Sequence, residues 1–106
     1  MSTPSFDYAI IGAGAAGLHL AIKLADDPYF KDKQILILDK DDKTANDRTW
    51  SFWEKSKSRW DEIASKTWKT GLFHGKDGHS NELDLQGYTS KTIRSSRFYA
   101  YGKEAI

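Results

Sequence analysis

The stretch Tyr8–Ala25, "YAIIGAGAAGLHLAIKLA", decides the fold. It starts β-prone and apolar, turns glycine-rich at Gly12, and then takes up a helical period. Phe6 to Ile11 reads as a short buried strand cut off by Gly12. Ala15 to Asp26 reads as a helix. Leu18, Ala21, Ile22 and Ala25 recur at i, i+3, i+4 and i+7 and form an apolar stripe, while His19, Lys23 and Asp26 share a wet face. Pro28 blocks a simple continuation. Gln34 to Asp39, "QILILD", is a second strand, and its unbroken apolar middle suits a parallel strand covered on both faces. Strand, helix and strand in this order make a βαβ unit with a right-handed crossover.

Between the first strand and the helix, Gly12-Ala13-Gly14-Ala15-Ala16-Gly17 matches G-x-G-x-x-G. Gly12 permits the sharp exit from the strand, Gly14 leaves the backbone open to a pyrophosphate, and Gly17 lets helix and strand lie close. The amides of Ala15 and Ala16 open the helix and carry the positive end of its dipole, which favours an anion. Asp39 stands 22 residues beyond Gly17, at the end of the second strand. Its carboxylate suits the two hydroxyls of an adenosine ribose. The plainer alternative is a tight strand–helix junction with an ordinary acid at a strand end. Strand, helix, second strand and acid together favour the dinucleotide cradle. FAD and NAD share the ADP half, so these residues do not choose between them, although Asp39 repels the 2′-phosphate of NADP. A motif beginning at residue 12 resembles FAD-dependent proteins of the glutathione reductase-like class, which bind the ADP half at the N-terminus. The fold class expected is α/β: the N-terminal βαβ part of a Rossmann-like FAD/NAD(P)-binding domain, followed by a β-hairpin.

The bulk numbers set limits around this reading. The 106 residues are 39% apolar and 29% charged, with a net charge of +1. That balance points neither to a nucleic-acid partner nor to an acidic membrane surface. The chain has no cysteine, which excludes disulfides and thiol catalysis. The N-terminus lacks the basic start of a signal peptide, and the longest apolar run, Ala9 to Leu18, is about half what a bilayer span needs. A cytoplasmic location is expected.

After Asp39 the texture changes. Lys40 to Asp47 is a charged loop, and "RTWSFW", Arg48 to Trp53, is dense in aromatic residues. Arg59 to Ser65 reads as a short helix. Thr67 to His74 and Glu82 to Gln86 read as two strands, with Lys76-Asp77-Gly78-His79 as the hairpin turn between them. A helix is expected to begin near Ser95, with Gly102 weakening it. Residues 1–47 form the βαβ unit, and residues 48–106 an aromatic-rich segment and hairpin. Two parallel strands make an incomplete doubly wound sheet, so the chain is expected to be the N-terminal piece of a larger flavoprotein.

The run "DYAIIGAGAAGLHLAIKLA", then "ILILDK", then "NDRTWSFW" resembles the N-terminal part of the lycopene beta-cyclase family. Thr49-Trp50-Ser51-Phe52 stands where those cyclases carry Thr-Trp-Ser-Phe. Downstream, "GYTSKTIRSSRFYAY" is similar to their Tyr-x-x-Ile-x-Ser-x-x-Phe pattern at Tyr88 and Phe98. Arg48 stands where members of the family often have histidine. The resemblance implies closure of the linear ends of lycopene into β-ionone rings by proton addition, carbocation attack and proton loss, without net redox. It also implies reduced FAD as an electrostatic partner of the cation, with NAD(P)H as a possible reductant and an apolar polyene as substrate. The full-length enzyme would meet the membrane peripherally. The general acid of the family lies farther along than residue 106, so no catalytic residue is nominated in this chain.

The candidate cofactor residues are therefore Gly12, Gly14, Ala15, Ala16, Gly17, Asp39, Lys40 and Arg48. Arg48 has the equally plain reading of a solvated loop charge, and for Lys40 a solvated lysine is the favoured reading. Trp50, Phe52 and Trp53 are candidate walls for the polyene, or else core filler, the role favoured for Trp60 and Trp68. The histidines, His19, His74 and His79, have no metal-site spacing. Two other functions stay open on the residues alone: a redox FAD enzyme of monooxygenase or desaturase type, and a nucleotide-binding module without catalysis.

Overall fold

A computed structural model describes residues 3–106. The chain divides into two compact units. One runs to Ala45 and takes in Ser96–Ile106, and the other is Asn46–Ser95.

In the first unit the expected parallel βαβ arrangement is present. Strand β1 (Tyr8–Ile11) pairs in parallel with β2 (Ile35–Leu38), from Tyr8↔Ile35 to Ile11↔Leu38, across helix α1 (Ala15–Asp26). Both strands are shorter than the apolar runs that announced them. Asp7 is drawn instead into an end-clasp, its carboxylate accepting from the Gln34 amide at 2.8 Å while its own amide donates to the Gln34 carbonyl at 2.8 Å. Helix α1 has the expected bounds and buries Leu18, Ala21 and Ile22, with His19, Lys23 and Asp26 exposed. Ala25, expected on the stripe, is exposed. The last turn of the helix faces an open hollow of about 740 Å³ shared with Phe30, Ile35 and Ile37. At Asp27 the chain leaves the helix, and the Asp27 carboxylate caps a 3-10 turn, Pro28–Phe30.

The strands are not buried as their composition suggested. Ile11 is 78% exposed and Leu38 48%. The physical reason is that the sheet has only two strands, so a sequence suited to two covered faces finds cover for less than that. The expected C-terminal helix is α2 (Ser95–Ala105). Gly102 does not end it. A Cβ there would reach the Leu18 side chain at 3.4–3.5 Å, an ordinary contact distance, so Gly102 lies against Leu18 without being required there, although glycine is normally about 1 kcal/mol unfavourable in a helix. Phe98 and Tyr99 on α2 are buried.

The second unit is antiparallel. The aromatic segment is a strand, β3 (Thr49–Glu54), paired with β7 (Thr89–Arg94), which also pairs with β4 (Lys66–Trp68). Strand β7 sits at the centre of this sheet and was not anticipated. The single strand expected over Thr67–His74 is broken at Lys69–Thr70. The first part is β4, and the second, β5 (Gly71–His74), pairs with β6 (Ser80–Leu83) in the expected hairpin. Alternation runs through both parts and does not record the change of partner. Strand β6 starts two residues before the expected one and stops at Leu83, because Gln86 and Gly87 turn the chain with φ of 54° and 86°. The hairpin closes with the Gly75 amide donating to the His79 carbonyl at 2.7 Å, and Gly78 has a φ of 88°. The short helix shrinks to a 3-10 turn, Arg59–Glu62, held by a capping box between Ser58 and Asp61. Among the described residues no helix is long and apolar enough to cross a membrane.

Candidate functional site

The glycine loop and Asp39 lie in the same unit and are joined directly. Gly12 leaves β1 with a φ of 104°, a backbone region that favours glycine. Its amide still donates to the Leu38 carbonyl at 2.6 Å, so the loop departs from the end of the parallel ladder. The next amide, Ala13, donates to the Asp39 carboxylate at 2.7 Å. The other carboxylate oxygen accepts the Asp41 amide at 2.8 Å. Lys43 Nζ stands 3.9 Å from that carboxylate, and the Asp39 side chain is 14% exposed although its main chain is open. The Ala13 amide, then the Asp41 amide and more weakly the lysine charges, hold the Asp39 carboxyl below its ordinary pKa.

Two glycines shape the helix entry. Gly14 is the N-cap residue of α1, no side chain caps the helix there, and no acid sits in its first turn. A Cβ added at Gly14 would meet nothing within 4 Å, so the space in front of it is free. Gly17 is the opposite case. A Cβ there would lie 1.9 Å from the Gly12 carbonyl oxygen and 3.4 Å from Ile10, so only glycine fits between helix and strand. Ala15 and Ala16 are exposed at the helix start, where unpaired amides and the dipole favour an anion.

These residues fit the ADP half of a dinucleotide. The helix start offers an uncapped positive end, Gly14 offers a bare approach, and Asp39 is an ionised acceptor. Each Asp39 oxygen accepts one amide and keeps a second lone pair for a ribose hydroxyl. Lys40 is exposed beside Asp39.

The other nominated residues fall in the second unit. Arg48 is exposed. Its amide donates to Ser95 Oγ at 2.9 Å and its guanidinium to the Asp47 carbonyl at 3.4 Å. Strand alternation separates the three aromatic candidates. Trp50 and Phe52 are half-buried on one face of β3, whereas Trp53 is 56% exposed on the other. They do not form one wall.

Sequence reasoning missed two features. One is Lys43, whose position four residues after Asp39 was the available signal. The other is a buried cation on β7: Lys91, 4% exposed, donates to Asp61 at 2.6 Å, Glu54 at 3.0 Å and the Ser56 carbonyl at 3.1 Å. Asp61 before Glu54 raises the Lys91 pKa, and Lys91 in turn lowers that of Asp61. Among the described residues no group of three or more His, Asp or Glu side chains is placed to hold a metal ion.

A comparison with protein families matches residues 7–103 to the model described as lycopene cyclase protein. No curated protein and no solved structure matches the chain.

Proposed function

The chain belongs to the lycopene cyclase protein family, and from that premise we propose that its glycine loop holds the ADP half of FAD for the closure of lycopene ends into β-ionone rings. In this reading residues 1–47 are the dinucleotide-binding unit of a Rossmann-like domain, and residues 48–106 begin the remainder of the flavoprotein. The observation that carries it is the open approach at Gly14, set at an uncapped helix start beside a carboxylate already tied to the same loop.

The roles of the chain's own residues follow from their positions. The first-turn amides of α1, at Ala15 and Ala16, receive the pyrophosphate charge. Gly14 keeps side-chain bulk out of its way. Asp39 accepts from the ribose hydroxyls, and the Ala13 and Asp41 amides keep it ionised and aimed. Gly12 and Gly17 fix the loop against the strand. Lys40 and Arg48 are candidates for further contacts with the cofactor. Trp53, open on its sheet face, is the most accessible of the three residues nominated for the polyene, while Trp50 and Phe52 stand on the opposite face and would not share its contact.

When bound, reduced FAD supplies negative charge that stabilises a developing carbocation, an electrostatic contribution that is largest where it is preorganised. NAD(P)H is the candidate reductant. The polyene is a bilayer solute, so peripheral membrane contact is part of the reading.

The test is purification of the full-length protein and assay with lycopene under reducing conditions. Retained flavin and turnover without net consumption of reductant are expected. Stoichiometric use of NAD(P)H or oxygen would support redox chemistry instead, and bound flavin without turnover would leave only a nucleotide-binding module. Asp39→Ala should weaken FAD binding by roughly 1.5–3 kcal/mol for each hydrogen bond lost to the charged group. An unchanged dissociation constant would remove Asp39 from the site.

A further inference from the structure

We propose that the outer face of the β3–β7–β4 sheet is a docking surface for an anionic lipid bilayer, with Trp53 and Trp68 as its anchors.

The register puts the two tryptophans in one row. Trp53 on β3 and Trp68 on β4 both pair with Ser90 on the central strand. Directly paired residues point to the same side of a sheet, so both indoles stand on one face, roughly 10 Å apart at two strand spacings. Trp53 is 56% exposed and Trp68 45%. Single exposed apolar residues are ordinary. Two indoles aligned in one row across the same sheet face are a patch.

The charges on that face have one sign. The neighbouring row is Ser51, Thr92 and Lys66, and the row beyond it pairs Thr49 with Arg94. Lys66 and Arg94 are thus the only charged residues among these three rows. The nearest carboxylate in the ladder, Glu54, points to the opposite face and is bound to Lys91 there. Lys55, Lys57 and Lys69 border a hollow lined by Thr67, Thr89 and Lys91, which belong to the opposite face, so they add nothing to the charge of this one.

This is the chemistry of a membrane interface. Indole rings settle at headgroup depth because they are apolar with one polar N–H. Cations beside them are drawn to an anionic leaflet. The hydroxyls of Ser51, Thr92 and Ser90 suit the hydrated headgroup layer, and Ser51 and Thr92 already share a hydrogen bond at 2.9 Å. An open three-stranded sheet face does not enclose a small ligand. The inference extends the reading given above, on which it rests for why a bilayer is met, but its readout is vesicle binding rather than cyclisation. Binding without turnover would sink the cyclase reading alone, and turnover without binding would sink this one alone.

The experiment floats the full chain with vesicles of phosphatidylglycerol or of phosphatidylcholine, at low and high salt. Binding to phosphatidylglycerol that falls as salt rises is expected. Trp53→Ala with Trp68→Ala should weaken it at least about tenfold, from the apolar area withdrawn. Lys66→Gln should weaken it about fivefold. Leu72→Ala with Phe73→Ala, exposed residues of the β5–β6 hairpin, should leave it unchanged. Far-UV circular dichroism checks that each variant folds, and Lys66→Glu gives a second route should the tryptophan pair fail to. The proposal is overturned if the native chain floats with neither lipid, if it binds both lipids equally at all salts, or if the tryptophan pair is dispensable. Tryptophan loss that changes oligomeric size without any vesicle binding would also overturn it, by showing that protein covers the face.

Discussion

Gly14 and Gly17 stand three residues apart in the loop, yet adding a side chain should fail differently at each. At Gly17 a new Cβ falls 1.9 Å from the Gly12 carbonyl oxygen, a backbone atom that cannot step aside. Gly17→Ala is expected to force α1 off β1 and destabilise the protein by about 1–3 kcal/mol, read as a lower urea midpoint. At Gly14 nothing lies within 4 Å and φ is −81°. Gly14→Val should therefore keep the fold and lose the flavin, seen as an unchanged midpoint with no flavin absorbance after purification. Undiminished yellow colour would count against the cradle. Asp39 gives a pH signature. Its folded pKa is lowered from 3.8, chiefly by the Ala13 amide. The tie between loop and β2 is thus fully present above that ordinary value and is lost as pH falls through the lowered one. Asp39→Asn should flatten this part of the acid limb of the stability profile, and an unaltered limb would show that the link contributes nothing. At this scale the glycine spacing and the acid were both legible in the sequence. The Ala13–Asp39 hydrogen bond was not, because it joins residues 26 apart through a main-chain group that every residue possesses.

Among elements, the clasp made by Lys91 is the most consequential structure that the sequence concealed. Lys91 lies between Thr92 and Ser90 in a strand whose composition is largely polar, so nothing in "TSKTIR" announced a central strand or a buried lysine. Its partners arrive from the end of β3 and from the 3-10 turn, and Ser58 Oγ donates to Glu54 at 2.7 Å to complete the group. The two sides of the clasp differ in exposure. The Lys91 side chain is 4% exposed, while Glu54 and Asp61 are 27% and 33%. Removing the carboxylates strands the ammonium without its partners, the costlier half of breaking a buried pair. Removing the lysine leaves two carboxylates that reach water. Glu54→Gln with Asp61→Asn should thus be more destabilising than Lys91→Met, measured by chemical unfolding, and the reverse order would show that the ammonium is not the costly member. Because the folded Lys91 pKa is raised above 10.5, its contribution persists through neutral pH and is lost only as pH rises through that raised value. The βαβ unit was legible for the opposite reason: its period, its glycines and its breaker are all local. The split of Thr67–His74 into two strands was hidden because both halves alternate alike and only their partners differ.

For the whole molecule, chain order couples the two units. The chain leaves the first unit after Ala45, spends fifty residues in the second, and returns at Ser96, where Gly102 of α2 lies against Leu18. An unfolded excursion of that length must be closed before α2 docks, at an entropic cost that a folded second unit removes. Each unit also shows apolar residues to solvent: Ile11 and Leu38 beside the glycine loop, Leu72 and Phe73 on the hairpin. Parallel strands with open faces contribute little net stability, so the 106-residue chain by itself should unfold at modest temperature. Cooperative melting well above about 60 °C, near the top of the mesophile range, would contradict that. The nucleotide reading adds a sharper consequence. A ligand that binds only the folded state stabilises it by about 2.7 kcal/mol at one hundred times its dissociation constant. For a chain of this size that corresponds to a rise in Tm of about 10–20 °C. Saturating FAD or ADP should give the native chain a rise of this kind, whereas Gly14→Val, folded but obstructed, should show none. Equal rises in the two proteins would place the nucleotide somewhere other than the glycine loop, and no rise in either would leave the loop as a close-packed turn between strand and helix.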